Sequence, residues 1–251
     1  MARIELLNNV AHRELRVARG FGAQFGDDVG MLPAFPSEYA ELQREYPIFL
    51  RRDAAGAWQS VALLGFEQHE NLFLVEGRWN ASYLPGAAAK GPFLIGFQEQ
   101  LVDGERRREP VLHVDLDHPR IATGDGEPVF LPQGGNSPYL DHVAGVLRGI
   151  HDGNAFGGAM FAAFDALGLI QPMALDVALD ERHRVTVSGL HAIDREALAA
   201  LDGTALARLN RDGYLEGAYL MLASLHNMRR LMAEKQRRLR AADATTAGQV
   251  R

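Results

Sequence analysis

The chain reads as an α+β protein, with a largely antiparallel, β-rich central region followed by helices, the last of them long. Three observations predict this. Between residues 46 and 115, five short apolar runs are separated by polar turns, the pattern of an antiparallel sheet. After Ser137 the apolar residues recur instead at spacings of three and four, the period of a helix face. The regular strand–helix alternation of a doubly wound sheet is missing.

Taken in order, residues 1–32 are mixed. Residues 12–17 alternate enough for a short strand, and Gly20, Gly22, Gly26 and Gly30 then mark loop. These glycines do not form a phosphate loop, because no Lys-Ser/Thr pair follows and the GxGxxG spacing fails. A short helix follows, with Ser37 as its cap, Tyr39 and Leu42 on its buried face, and Pro47 closing it. The apolar runs of the central region are 48–50, 60–66, 71–75, 93–97 and 111–114. Asp53-Ala54-Ala55-Gly56 and Gln68-His69-Glu70-Asn71 are turns between them, and the charged segment 103–109 is expected to be an exposed loop.

Residues 116–136 are loop-rich. Ser137-Pro138 then opens a helix, with Ser at the cap and Pro at the first helical position. A second helix is expected over 155–167, burying Phe156, Met160, Phe164 and Leu167, with Gly157-Gly158 as a close contact or a kink. Residues 174–179 and 183–190 form a strand pair around Asp180-Glu181-Arg182. Asp194 and Thr204 each cap a short helix. The last helix spans 214–240 with the apolar line Leu215, Ala218, Leu222, Leu225, Met228 and Met232, and its far end turns basic. Residues 1–242 form one globular domain, and residues 243–251 a flexible tail.

The bulk properties exclude several classes. An apolar fraction of 47% against 23% charged residues is that of a globular protein, not a disordered one. A net charge of −6 argues against nucleic acid, whose binding rests on a positive footprint. With no cysteine, disulfides, Cys-ligated zinc, iron–sulfur clusters and thiolate catalysis are all excluded. No run is apolar and uncharged for the length of a membrane span, and the N-terminus lacks the apolar core of a signal peptide. These observations favour a soluble, cytoplasmic protein without a transmembrane segment.

Two constellations carry candidate chemistry. In His113-Val114-Asp115 the first and third side chains share one face of a strand. A third histidine, from His151, His183 or His191, would complete a two-His, one-carboxylate iron site. A strand end entering a turn explains the same residues. No HExxH or GxSxG motif is present. The second constellation is Arg78-Trp79-Asn80-Ala81-Ser82-Tyr83, in which two amphipathic aromatics flanked by Arg78 and Asn80 suit a ligand or partner wall. Packing at the sheet end explains Trp79 equally well. Leu225, Met228 and Met232 are the candidate oligomer surface, for a homodimer or a protein partner docked on the last helix.

Residues 12–16 (His-Arg-Glu-Leu-Arg), Tyr46-Pro47-Ile48-Phe49, the block 77–85 with Pro92-Phe93, and 209–215 (Leu-Asn-Arg-Asp-Gly-Tyr-Leu) together resemble the proteobacterial SapC family. The likeness covers residues 4–232. It implies an accessory or structural protein linked by name to bacterial surface-layer assembly or export. The family is also considered alongside flavin-dependent halogenases and cupin-like oxygenases, which makes an enzyme or small-ligand-binding protein, including an iron-dependent oxygenase using His113 and Asp115, the alternative. The resemblance supplies no catalytic residue and no cofactor. The peptide-transporter permease of the same name spans the membrane, and this chain has no segment that can.

Overall fold

In the computed structural model, which describes residues 3–102, 105–122, 124–178 and 183–249, two apolar cores form against one long helix. The architecture is α+β, with antiparallel sheets followed by helices.

The larger core lies on a five-stranded antiparallel sheet. Its central hairpin joins β4 (Ile48–Arg52) and β5 (Trp58–Leu63), and the turn between them is held by Asp53, whose carboxylate accepts the N–H groups of Ala55 and Ala57 at 2.9 Å. β3 (Met31–Ala34) pairs with β5 along one edge. β12 (Ile170–Ala178) and β13 (Arg184–Ile193) form the expected hairpin and join β4 on the other side. The residues 180–182 assigned to that turn lie outside the described residues. The sheet is covered by α1 (Tyr39–Leu42), the C-terminal half of α3 (Pro138–Ala166) and α6 (Tyr214–Ser224). Tyr39, Leu42, Phe49, Leu63 and Phe164 are fully buried there.

The smaller core lies between the N-terminal half of α3 and a three-stranded sheet of β1 (Ile4–Leu6), β9 (Glu105–Asp115) and β8 (Phe93–Val102). A small sheet of β10 (Ile121–Ala122), β2 (Arg16–Val17) and β11 (Glu127–Pro128) closes it. Phe93, Val114, Val129 and Val143 are fully buried. Of the expected loop over 103–109, residues 103–104 lie outside the described residues and 105–109 are instead strand: the β8–β9 ladder runs from Phe93↔Val114 to Val102↔Glu105. Backbone pairing between two antiparallel strands does not need an apolar face, so a charged composition does not end the ladder.

The helix pair expected from residue 137 to 167 is one continuous helix. Ser137 caps it as expected, accepting Leu140 N–H at 3.2 Å, with Pro138 at the first position. Of the pair expected to make a close contact or a kink, Gly157 is a contact point and Gly158 meets nothing within 4 Å, and Gly153 before them is a second contact point. A Cβ at Gly153 would come within 2.5 Å of Ser37 Oγ and 2.9 Å of Phe35 Cβ, and one at Gly157 within 3.4 Å of Pro36. Ser37 is therefore not a helix cap; its hydroxyl donates to Gly149 O at 2.8 Å and ties this segment to α3.

Asp194 caps α4 (Arg195–Ala199) as expected. Asp202, not Thr204, caps α5 (Gly203–Arg211), its carboxylate accepting Ala205 N–H at 2.7 Å. The long C-terminal helix is articulated. α6 passes through a 3₁₀ turn at Leu225–Asn227 into α7 (Met228–Gln249), beyond the expected end at Arg240. The bend sits where the helix is pinned: Ser224 Oγ accepts Ile48 N–H at 2.8 Å, and Asn227 donates to Gln43 O at 2.8 Å. Among the described residues no helix is long and apolar enough to cross a membrane.

Candidate functional site

The segment 78–85 leaves a tight hairpin. β6 (Leu74–Val75) and β7 (Arg78–Trp79) are joined by Glu76 and Gly77, both with positive φ (48° and 74°), as a two-residue type I′ turn requires. The Trp79 ring then packs edge-on to Phe21 at 5.5 Å and stacks on Phe73 at 6.4 Å. Its indole N–H donates to Tyr46 Oη at 2.7 Å, and Tyr46 O–H donates onward to the backbone oxygen of Tyr83 at 2.5 Å. Tyr83 O–H donates to Glu38 at 2.8 Å.

The four residues singled out in this segment face different places. Arg78 is exposed. Asn80 borders a cleft of about 270 Å³ with Phe73, Arg230 and Arg237. Tyr83 borders another, of about 390 Å³, with Glu38 and His142. Burial raises the Glu38 carboxyl above the usual carboxylate range, and N–H and O–H donors from Gly86, Tyr83 and Phe35 partly offset this. These donors occupy the carboxylate, which makes it a structural anchor.

Trp79 borders a third cavity, of about 110 Å³, which carries the least explained chemistry. The cavity lies at the seam of the two cores, walled by residues 25–32, α2 (Gly86–Ala89), and the turn after β9. That turn follows from local chemistry. The Asp115 carboxylate accepts Asp117 N–H at 3.0 Å, and His118 Nδ1 accepts Arg120 N–H at 3.1 Å. Neutral His118 therefore carries its proton on Nε2. Burial, then the charges of Arg120 and Lys90, hold its pKa below the ordinary histidine value.

Arg120 closes one wall. One guanidinium nitrogen donates to both oxygens of Asp27, at 2.7 and 2.8 Å, and another to Gly20 O at 2.7 Å. Its Cζ lies 5.1 Å from the Phe21 ring centre and 4.6 Å from that of Phe25. The two charged side chains are only 8% and 9% exposed. A buried pair with this many donors and aromatic contacts is fully compensated.

Lys90 is not. It directly follows α2, where Gly91 reverses the chain at φ 53°. It is half-buried, and its amino group has no hydrogen bond or ion pair among the described residues. Burial weakens its hold on its proton, and Asp115 partly restores it. The sequence contains only two lysines among its 26 lysines and arginines. The other, Lys235, is held by Glu67 and Glu70 at 2.5 and 2.6 Å. Lysine scarcity is a signal that sequence reading missed, and it marks Lys90 without any structure.

The SapC family model matches residues 7–231. The chain belongs to the SapC family. The matched span contains both cores and the whole Lys90 cavity. Comparison with curated proteins and with solved structures finds no match.

In this SapC protein His113 and Asp115 lie on β9 as expected, but no third ligand joins them. His113 lies against Gly96, where an added Cβ would come within 2.5 Å of the imidazole. His151 packs at a tilt against Phe97, and His191 sits in the other sheet against Trp58. Among the described residues no group of three His, Cys, Asp or Glu side chains is placed to hold a metal. That argues against the iron-oxygenase alternative, and Asp115-Leu116-Asp117-His118 is the strand end entering a turn. Leu225, Met228 and Met232 are half-buried and pack on the larger core of their own chain.

Proposed function

We propose that this SapC protein is an accessory protein that captures a small carboxylate-bearing molecule in the Lys90 cavity. The observation that carries this reading is the amino group of Lys90. It is half-buried on a cavity wall with no carboxylate in hydrogen-bond or ion-pair contact among the described residues, Asp115 acting on it only through its charge, in a chain that otherwise uses arginine for nearly every cation. A buried charge without a partner lowers stability unless something supplies the opposite charge. Trp79 and Phe25 give the cavity apolar faces, and His118 offers an N–H donor. At about 110 Å³ it suits a molecule of a few heavy atoms, well below the roughly 300–1,000 Å³ of drug-sized pockets.

The setting is a step serving surface-layer assembly or export, as the family resemblance implies, in the cytoplasm, as the absence of cysteine and of an apolar targeting run suggests. In this reading a protein partner or second copy meets the outward side of α7, where Arg229, Arg237 and Arg240 are exposed. Sedimentation velocity checks that part: a monomer at high concentration that also retains no partner from a lysate would remove it.

Thermal melting with a panel of small anions tests the ligand site. Acetate or pyruvate is expected to raise the melting temperature in a saturable way, since a ligand that binds only the folded state stabilises it. Lys90→Met is expected to melt higher than wild type without ligand and to lose the ligand response. No response to any carboxylate, or an undiminished response in Lys90→Met, would overturn the proposal.

A further inference from the structure

We propose that Lys90 is an attachment point for a small oxo acid, held in the cavity as a reversible imine. This rests on the ligand site proposed above and specifies the bond that holds the ligand there.

The choice of residue is the first support. A guanidinium stays protonated at any physiological pH, whereas an amine can release its proton and present a lone pair. This chain places arginine at all but two of its cationic positions. At Lys235 the ammonium is needed as an ammonium, because two carboxylates grip it. At Lys90 no carboxylate grips the nitrogen, so the amine is open to a ligand. The surroundings are the second support. Lys90 shares its cavity with the buried Arg120 guanidinium and with His118, while Asp27 is committed to Arg120, and Asp115, which accepts the Asp117 N–H, acts on Lys90 only through its charge. Burial further favours the uncharged amine.

The step balances without an external oxidant or reductant. The amine lone pair attacks the carbonyl carbon, a C–N bond forms, and the C=O π pair moves to oxygen. That oxygen takes up a proton, and the nitrogen gives one up. Loss of the nitrogen's second proton and departure of the oxygen as water then leave the C=N bond. The net change is amine plus carbonyl to imine plus water. His118 is the proton carrier on the cavity wall, because its Nδ1 is occupied by Arg120 N–H and its Nε2 is left to exchange protons.

The test uses the full chain, incubated with pyruvate and then with sodium cyanoborohydride, which fixes an imine as a stable secondary amine. Peptide mapping by mass spectrometry reads the position. The expected result is an adduct on Lys90 and none on Lys235, suppressed by excess acetate. An absent Lys90 adduct, or one no greater than those on Lys235 and the chain's amino terminus, overturns the imine. Lys90→Arg is expected to keep the acetate-induced rise in melting temperature while losing the adduct, and the wild-type map decides alone if that variant does not fold. An acetate response in the wild type without any adduct overturns the imine and leaves the binding site standing. Loss of both overturns both.

Discussion

Arg120 and Asp27 form the wall on which the candidate site depends, and removing either should be severe. Arg120→Met deletes the cation paired with a carboxylate that is 9% exposed and removes the donor to Gly20 O. Breaking a buried pair from one side typically costs about 3–5 kcal/mol, because the remaining charge stays buried without compensation. The Phe21 and Phe25 rings lose a guanidinium as well, which adds about 0.5–2 kcal/mol. For a chain of this size the loss corresponds to a fall in melting temperature on the order of 10 °C. Asp27→Asn should cost less, since the amide oxygen can still accept from Arg120 and from Gly22 N–H, now at 2.8 Å. The assay is urea unfolding of wild type, both single variants and the double variant Asp27→Asn/Arg120→Met. The double variant should recover part of the loss, with a coupling energy of about 1–3 kcal/mol. Single losses under about 1 kcal/mol, the range of exposed pairs, would refute the reasoning.

Other consequences follow from neighbouring residues. Trp79→Ala should destabilise by about 2–4 kcal/mol, because a large half-buried ring is removed, whereas Trp79→Phe should cost about 0.5–1.5 kcal/mol for the lost hydrogen bond to Tyr46; equal costs in urea unfolding would contradict the packing described. His118 has a folded pKa below its unfolded value, so it contributes stability above the ordinary histidine range and loses it as pH falls through the lowered folded value. Unfolding midpoints measured from pH 7 to pH 5 should therefore fall less in His118→Asn, which keeps an acceptor for Arg120 N–H, than in wild type; identical slopes would show that His118 makes no such contribution. Gly153→Ala forces a Cβ to within 2.5 Å of Ser37 Oγ and should cost about 1–3 kcal/mol, while Gly145→Ala, which meets nothing within 4 Å, should be neutral or stabilising by thermal melting.

What could be read from the sequence was chemistry carried by near neighbours. The Ser137-Pro138 helix start, the Asp53 turn, the Asp194 cap and the hairpin of β12 and β13 each depend on residues a few positions apart. The continuous α3 was not legible, because residues 149–154 have a loop-like composition. Gly153 is small for a reason nearly 120 positions away, where Phe35 and Ser37 press on it. The charged arm of β9 was missed for a similar reason, since its partner strand decides its conformation. The Trp79–Tyr83 segment stood out in the sequence for its two amphipathic aromatics, read there as a ligand or partner wall. Its division among three cavities could not be seen, because each wall comes from a distant segment. The Lys90 cavity draws on residues 25–32, 79, 87–91 and 118–120, and the rarity of lysine, a signal the sequence reading missed, marks one of them.

The central claim, that Lys90 holds a small carboxylate in this cavity, is tested most directly by isothermal titration of the purified chain with pyruvate and with acetate. Wild type is predicted to bind at one site, and Lys90→Met to bind more than about tenfold more weakly, a loss of at least about 1.4 kcal/mol. Arg237→Ala, which alters a different cleft, should leave the affinity unchanged. Equal affinity in wild type and Lys90→Met, or no binding of either carboxylate by the wild type, would contradict the claim.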